Sequence, residues 1–417
     1  ASARHALGYT YATEIDCLNL ADNRDTDEQV HAIVTQQPDV DFIVGGTDGG
    51  ADQRLLKLVD AVGVAAAILS SKRKLVVLYA GNINLREAVS QRIGQAGNLI
   101  VVDNVRPNLT EERLDPAGKE LNTLYEDLKM PLIPGVSQLL TWSNPSPMPT
   151  VTAFANICRY FTALQNRGVL GVDLGGESLA VIWAEGETLA ISNRTDLGMG
   201  SSIQNILDEV SAEAILSWIA DQVDSAEVED YLAYKAQHPQ TVPDSERSLQ
   251  MEQAIAREMV RCGIRKTGIF VDRPAAQPTP PFGILLARGA IFANMPRPSQ
   301  TILLLLDAIQ PTGIFSVALD QYSVLPALGT LMEEHPLMVV QALEGGVLTD
   351  LGWVVVPTGS GQPKQKVMTV TVKTAAGLEL FNDDSIEFGS LNVIPIPLGE
   401  TVEVDLRPTR RFDIGFG

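Results

Sequence analysis

The sequence predicts an α/β chain of more than one domain, closed by a small antiparallel β module. Three observations carry this. The first hundred residues alternate amphipathic helical stripes with short apolar strands. From Gly168 the pattern changes to strand, tight turn, strand, turn, strand. The tail alternates apolar and polar residues over Lys366–Lys373 as KVMTVTVK, the period-two signature of a half-buried strand.

The 417 residues suggest two or three domains. Apolar residues make up 45% and charged residues 20%, too much apolar material for a disordered chain. A net charge of −20 argues against nucleic acid or an anionic membrane as the main partner, because both reward clustered Lys and Arg. Cys17, Cys158 and Cys262 lie far apart, and the four histidines show no metal-ligand spacing. Neither a disulfide framework nor a zinc site is expected, and a reducing compartment, the cytoplasm, fits. The best apolar run, Ile302–Ile309, is too short to span a bilayer and contains Asp307. The first residues lack the basic start and apolar core of a signal peptide. The chain opens at Ala1 rather than Met, as a segment from inside a longer gene product would.

Residues 1–105 read as one α/β domain. Asp25-Thr26-Asp27-Glu28 is a helix start, Val30, Ile33 and Val34 form its apolar stripe, and Pro38 closes it. A strand, Asp41–Val44, runs into Gly45-Gly46-Thr47-Asp48-Gly49-Gly50, and the next helix carries Leu55, Leu56, Leu58 and Val59. Strands Leu75–Tyr79 and Leu99–Asp103 follow. Strands separated by helices imply a parallel sheet.

Residues 106–167 read as a connector. One amphipathic helix places Leu121, Leu124, Tyr125 and Leu128 on one side, and Trp142–Pro149 holds three prolines that no helix interior tolerates. Residues 168–360 form a second α/β domain, opening on strands Val169–Leu174, Ser178–Ala184 and Thr188–Ser192. A helix starts near Ser211 with Ile215, Trp218, Ile219 and Val223, and another runs from about Glu246 to Cys262 with Gly263 as its C-cap. Gln277–Pro281 is a Pro-rich loop. Gly283–Leu286 and Ile302–Leu306 are strands or apolar helix starts, which periodicity does not separate. Residues 361–417 are the β module, with strands at Lys366–Lys373, Leu391–Ile396 and Thr401–Leu406.

The strongest chemical signal is Gly171-Val172-Asp173-Leu174-Gly175-Gly176-Glu177-Ser178-Leu179-Ala180. An apolar strand delivers Asp173 to a sheet edge. Gly175 and Gly176 then let backbone N–H groups approach an anion, and Ser178 adds a hydroxyl. A strand follows instead of a helix, and no Walker lysine is present, which separates the motif from the P-loop and the dinucleotide turn. A β-hairpin phosphate clamp with an Asp on its first strand is the arrangement of actin, hexokinase and Hsp70, where the Asp usually reaches Mg²⁺ through water. A plain glycine hairpin is the bland alternative.

Gly45, Gly46, Thr47, Asp48 and Gly49, at a strand end entering a helix, form a second anion nest or a packing turn. Asp196 in Asn193–Gly200 is a helix N-cap or a second Mg²⁺ ligand. Gly289 ends a strand-like run where a nucleotide base could rest. Glu333-Glu334-His335 reads as a solvated helix end. No Ser or Cys has the setting of a covalent nucleophile.

Taken together, VGGTDGG, LYAGN, DNVRP, GVDLGGES, RTDLGMG, LLLLDAIQPTG and SVLPALG resemble the MutL (GlmL) proteins associated with adenosylcobalamin-dependent glutamate mutase. Those proteins belong to the actin-like ATPase superfamily, alongside the reactivating factors of diol and glycerol dehydratases. The resemblance runs, with gaps, from about residue 1 to 360. It implies actin-like (ribonuclease H-like) domains, ATP and Mg²⁺ as cofactors, Asp173 as the metal-positioning residue, and Asp173 and Asp196 as catalytic candidates. The implied activity is that of an ATP-dependent chaperone acting on a cobalamin-dependent mutase.

The chain departs from the family pattern at several places. No opening DIGST-type loop precedes Gly45, so a first strand set is expected outside this sequence. Glu177 adds a negative charge, Leu179 and Ala180 replace a Thr and an Asp, and Arg288-Gly289-Ala290 replaces paired glycines. These changes favour one rival reading, a self-associating actin-like scaffold without ATP turnover. A small-molecule kinase on the same fold is the other.

Overall fold

A computed structural model describes residues 2–8, 10–19, 23–50, 53–109, 111–142, 147–220, 223–266, 270, 279–397 and 399–415. The chain divides into two compact units. The first comprises 1–157, 190–196 and 325–340; the second comprises 158–189, 197–324 and 341–417. The architecture is mixed α/β, as the alternation of elements predicts.

In the first unit, β1 (Val40–Ile43), β2 (Leu75–Tyr79) and β3 (Gly97–Val101) form a parallel sheet in that order. Every residue of β2 is buried, as a central parallel strand requires. Ile33, Leu55, Val59, Val77 and Val89 share one core. Helix Thr26–Gln36 begins at the expected start, and the structure adds a capping box there, Asp25 accepting from the Glu28 amide while the Glu28 side chain accepts from the Asp25 amide. Helix Asp115–Leu128 follows, with Tyr125 stacked on Tyr11 at 4.9 Å. The predicted connector contains more order than its prolines suggest. Thr150–Gln165 is a helix, with Phe154, Ile157 and Cys158 fully buried. Of the Pro-rich stretch before it, 143–146 lie outside the described residues.

In the second unit, β5 (Leu179–Glu185), β4 (Val169–Leu174), β7 (Ile284–Arg288), β8 (Gly313–Asp320) and β9 (Thr349–Val356) lie side by side in that order. β4, β7 and β8 are mutually parallel, while β5 and β9 run antiparallel to their neighbours. β6 (Thr188–Arg194) begins in this unit and carries the chain into the other.

The ambiguous runs resolve as β7 and as helix Pro298–Ile309, which has Pro298 in its first turn. The helix expected from Ser211 stops at Leu216, and a separate helix, Ser225–Gln237, starts on an Asp224 cap. Gly263 is not a cap. Helix Glu246–Lys266 runs straight through it, and a Cβ there would stand 2.5 Å from Leu179 Cδ2 and 3.2 Å from Val181 Cγ2. The glycine lets the helix lie down on β5. Of the loop before β7, 277 and 278 lie outside the described residues.

The tail is an antiparallel sheet, as expected, with one strand misassigned. After the two-residue β10 (Thr358–Gly359) it orders β12 (Glu379–Glu387), β11 (Lys366–Thr374) and β13 (Val402–Pro408). Residues 391–396 are not a strand. The third strand is β12, whose Asn382-Asp383-Asp384 run breaks the alternation. β14 (Phe412–Asp413) pairs with β10, and Phe412 joins Val367, Met368, Val370 and Val372 in a small core. No helix among the described residues is long and apolar enough to cross a membrane.

Candidate functional site

The carboxyl ends of β4, β7 and β8 place three charged residues in register. Asp173 pairs with Arg288, and Arg288 pairs with Asp320. In-register residues on neighbouring strands project from the same face, so the three side chains form a row. Arg288 Nη1 donates to Asp173 Oδ2, and its Nε lies 3.5 Å from Asp320 Oδ2. Asp320 also accepts from the Val324 amide at 2.8 Å. Asp173 is 9% exposed and Asp320 0%. Burial pushes the Asp173 carboxyl above the usual carboxylate range, and the Arg288 charge opposes it. Asp173 Oδ1 is buried without a hydrogen-bond partner, and so is Arg288 Nε.

The glycine hairpin sits just beyond this row. The Gly175 amide closes the turn on the Ser178 carbonyl at 2.9 Å. A second loop braces it from below: the Met199 amide donates to Gly175 O at 2.9 Å and the Gly200 amide to Gly176 O at 2.7 Å. Gly198 and Gly200 are glycines because the hairpin backbone leaves no room for a Cβ. Gly289 is one for the same reason, against the Leu174 carbonyl, and its φ is +124°.

Gly175 and Gly176 differ. Neither has a positive φ. A Cβ on Gly176 would meet nothing within 4 Å, and one on Gly175 only Ser178 O at 3.5 Å. Nothing inside the protein demands glycine there; the pair leaves open backbone at the sheet edge. Glu177, at the tip, accepts from the Ser201 hydroxyl at 2.7 Å. Leu179 and Ala180 are buried in β5, Leu179 filling the space that Gly263 leaves.

The other predicted glycine loop belongs to the first unit, and several of its polar groups are hydrogen-bonded internally. The Asp48 amide donates to Pro107 O at 2.9 Å and the Gly50 amide to Thr47 O at 2.8 Å. The Gly49 amide reaches Asn82 Oδ1 at 3.3 Å. Asp48 Oδ1 accepts from Asn104 Nδ2 and from the Ile83 amide, each at 2.9 Å, and these bonds hold its carboxyl below the usual range. Gly45, Gly46 and Gly49 all have positive φ. The loop thus carries its own anion, Asp48, and reads as a lock tying the ends of the parallel sheet through Asn82 and Asn104.

Asp196 also lies in the first unit. It caps no helix; Arg194 holds it with two bonds of 2.7 and 2.6 Å and depresses its pKa. Asp173, Gly175, Gly176, Ser178 and Gly289 come together in the second unit.

The hairpin leaves room for an anion beside Gly176, where a Cβ would meet nothing within 4 Å. A Mg²⁺ ion on Asp173 does not fit as the side chains stand, because that carboxylate already holds a guanidinium. Among the described residues no three His, Cys, Asp or Glu side chains converge as metal ligands. Asp320 was not singled out from the sequence. Its signal was an apolar run ending in Asp, IFSVALD, like VLGVDL before it, and only the parallel register joins the two.

The family model described as "MutL protein" matches residues 1–346. The curated "Protein MutL" of Clostridium tetanomorphum is 26% identical over 256 residues, covering 56% of this chain and 53% of that protein. The chain spans about half the length of that relative.

Proposed function

The chain belongs to the MutL protein family, and from that premise we propose that it is a nucleotide-binding partner protein of an adenosylcobalamin-dependent mutase, built on an actin-like fold. The order β5-β4-β7-β8, a hairpin followed by parallel strands, supports the ribonuclease H-like reading. One observation carries the nucleotide: the backbone of Gly175 and Gly176 is open at the sheet edge although no φ or internal contact requires glycine. There the Gly176 amide and the Ser178 hydroxyl would receive phosphate oxygens, the Gly175 amide being held in the turn by the Ser178 carbonyl, with Gly289 at the end of the neighbouring parallel strand. ATP would supply a phosphoanhydride whose binding or loss shifts the balance between two conformations, the currency of a release chaperone.

Calorimetric titration of ATP into the chain and into Gly176→Asp tests this. The space around Gly176 accepts the new side chain, so the variant should fold normally and bind at least tenfold more weakly through charge repulsion. In a parallel assay, cofactor-damaged mutase should regain turnover with the chain plus ATP. No heat at millimolar ATP would reject the nucleotide reading and leave the scaffold.

A further inference from the structure

We infer that Arg288 is a built-in counter-cation at the phosphate site, so that the second unit takes a nucleotide's phosphates through a guanidinium and without a divalent metal. This rests on the nucleotide reading above.

Three observations carry it. First, Arg288 stands in register between two carboxylates, Asp173 and Asp320, on adjacent parallel strands at their carboxyl ends, the edge where such sheets bind ligands. Second, the guanidinium is held but not saturated. Nη1 is bonded to Asp173, while Nε is buried without a hydrogen bond and only approaches Asp320 at 3.5 Å. Asp173 Oδ1 is also unpartnered. Buried polar groups in native proteins are satisfied with few exceptions, and each exception calls for an explanation, of which a bound ion is one. Third, Gly289, next in sequence to Arg288, packs on the Leu174 carbonyl, and Leu174 leads directly into Gly175. The guanidinium is thereby tied by backbone contact to the root of the hairpin.

The chemistry matches. A guanidinium presents five N–H donors in a planar fork that suits phosphate as well as carboxylate, and it never loses its charge. A metal approaching Asp173 would meet that fixed positive charge in a poorly solvated place. Phosphate oxygens would meet the donors that the carboxylates leave unused.

The experiment is an ATP titration with Mg²⁺ and, separately, with excess EDTA, on the wild-type chain, Arg288→Ala and Arg288→Lys. Wild type is expected to bind equally in both buffers, within about threefold, while Arg288→Ala binds at least tenfold more weakly in EDTA and recovers with Mg²⁺, its Asp173 now free. Arg288→Lys keeps the charge but not the fork and should fall between. Wild-type binding that drops tenfold or more in EDTA overturns the inference and leaves the nucleotide reading standing. Absence of binding in both buffers overturns the nucleotide reading and the inference with it. The wild-type comparison decides the matter even where a variant fails to fold.

Discussion

Gly198 and Gly176 touch through their backbones, yet the fold asks opposite things of them. A Cβ on Gly198 would meet the Gly176 carbonyl oxygen, with the Glu177 carbonyl carbon at 2.7 Å. A Cβ on Gly176 would meet nothing. Gly198→Ala should therefore cost about 1–3 kcal/mol, the usual penalty of overpacking against backbone that cannot retreat. Gly176→Ala should stay within about 0.5 kcal/mol, as surface changes do. Urea unfolding of the two variants checks this, and equal losses would mean that the hairpin is held otherwise than by the Met199 and Gly200 amides. The sequence made both glycines visible without separating their duties, because the reason for Gly198 lies on a segment more than twenty residues away. Arg288 was obscured in the same way. It stood in view beside Gly289, but its meaning depends on a register that aligns residues 173, 288 and 320.

Elements were legible where apolar runs met unambiguous punctuation. β2 is Leu75–Tyr79 in the structure as in the reading, because five apolar residues lie between a charged turn and Ala80-Gly81-Asn82. Helix Thr150–Gln165 was obscured by the prolines that precede it, and β12 by acidic residues that interrupt its alternation. β1 carries a cost that periodicity hides. Asp41 sits within it, its Oδ2 buried without a partner, and burial raises its carboxyl to about 6 against the pull of Arg73. The sign follows directly: the folded chain holds this proton more tightly than the unfolded chain does. Stability from this group is intact below about pH 4 and lost as pH rises through about 6, on the order of 2–3 kcal/mol. Asp41→Asn should abolish that dependence. The stability difference between variant and wild type, by urea unfolding, should grow in the variant's favour from pH 4 to pH 7; a flat difference would mean that Asp41 is solvated in the folded state.

At the scale of the whole chain, the family match and the sheet end in different places, and the gap can be tested. The match stops at residue 346, before β9, yet β9 pairs with β8 along nearly its whole length. β8 carries Asp320, so removing β9 would turn the strand that steadies Arg288 into an exposed edge. The β module beyond is another matter. It has a core of its own, Val367, Met368, Val370, Val372 and Phe412. It meets the sheet's last strand through few features, among them Val355 packed on that core and the two-residue pairing of β10 with β14. A chain ending at Gly361 should keep its melting temperature within about 5 °C, since it loses one small core and leaves the larger sheet whole. A chain ending at Gly346 should melt far lower or not fold, because β8, paired only with β7, and its buried charge row would face water at an open sheet edge. Circular dichroism melts of the two chains distinguish these outcomes. Collapse of the longer chain would show that the module is an integral part of the second unit, with the small core around Phe412 supporting the strand that supports the site.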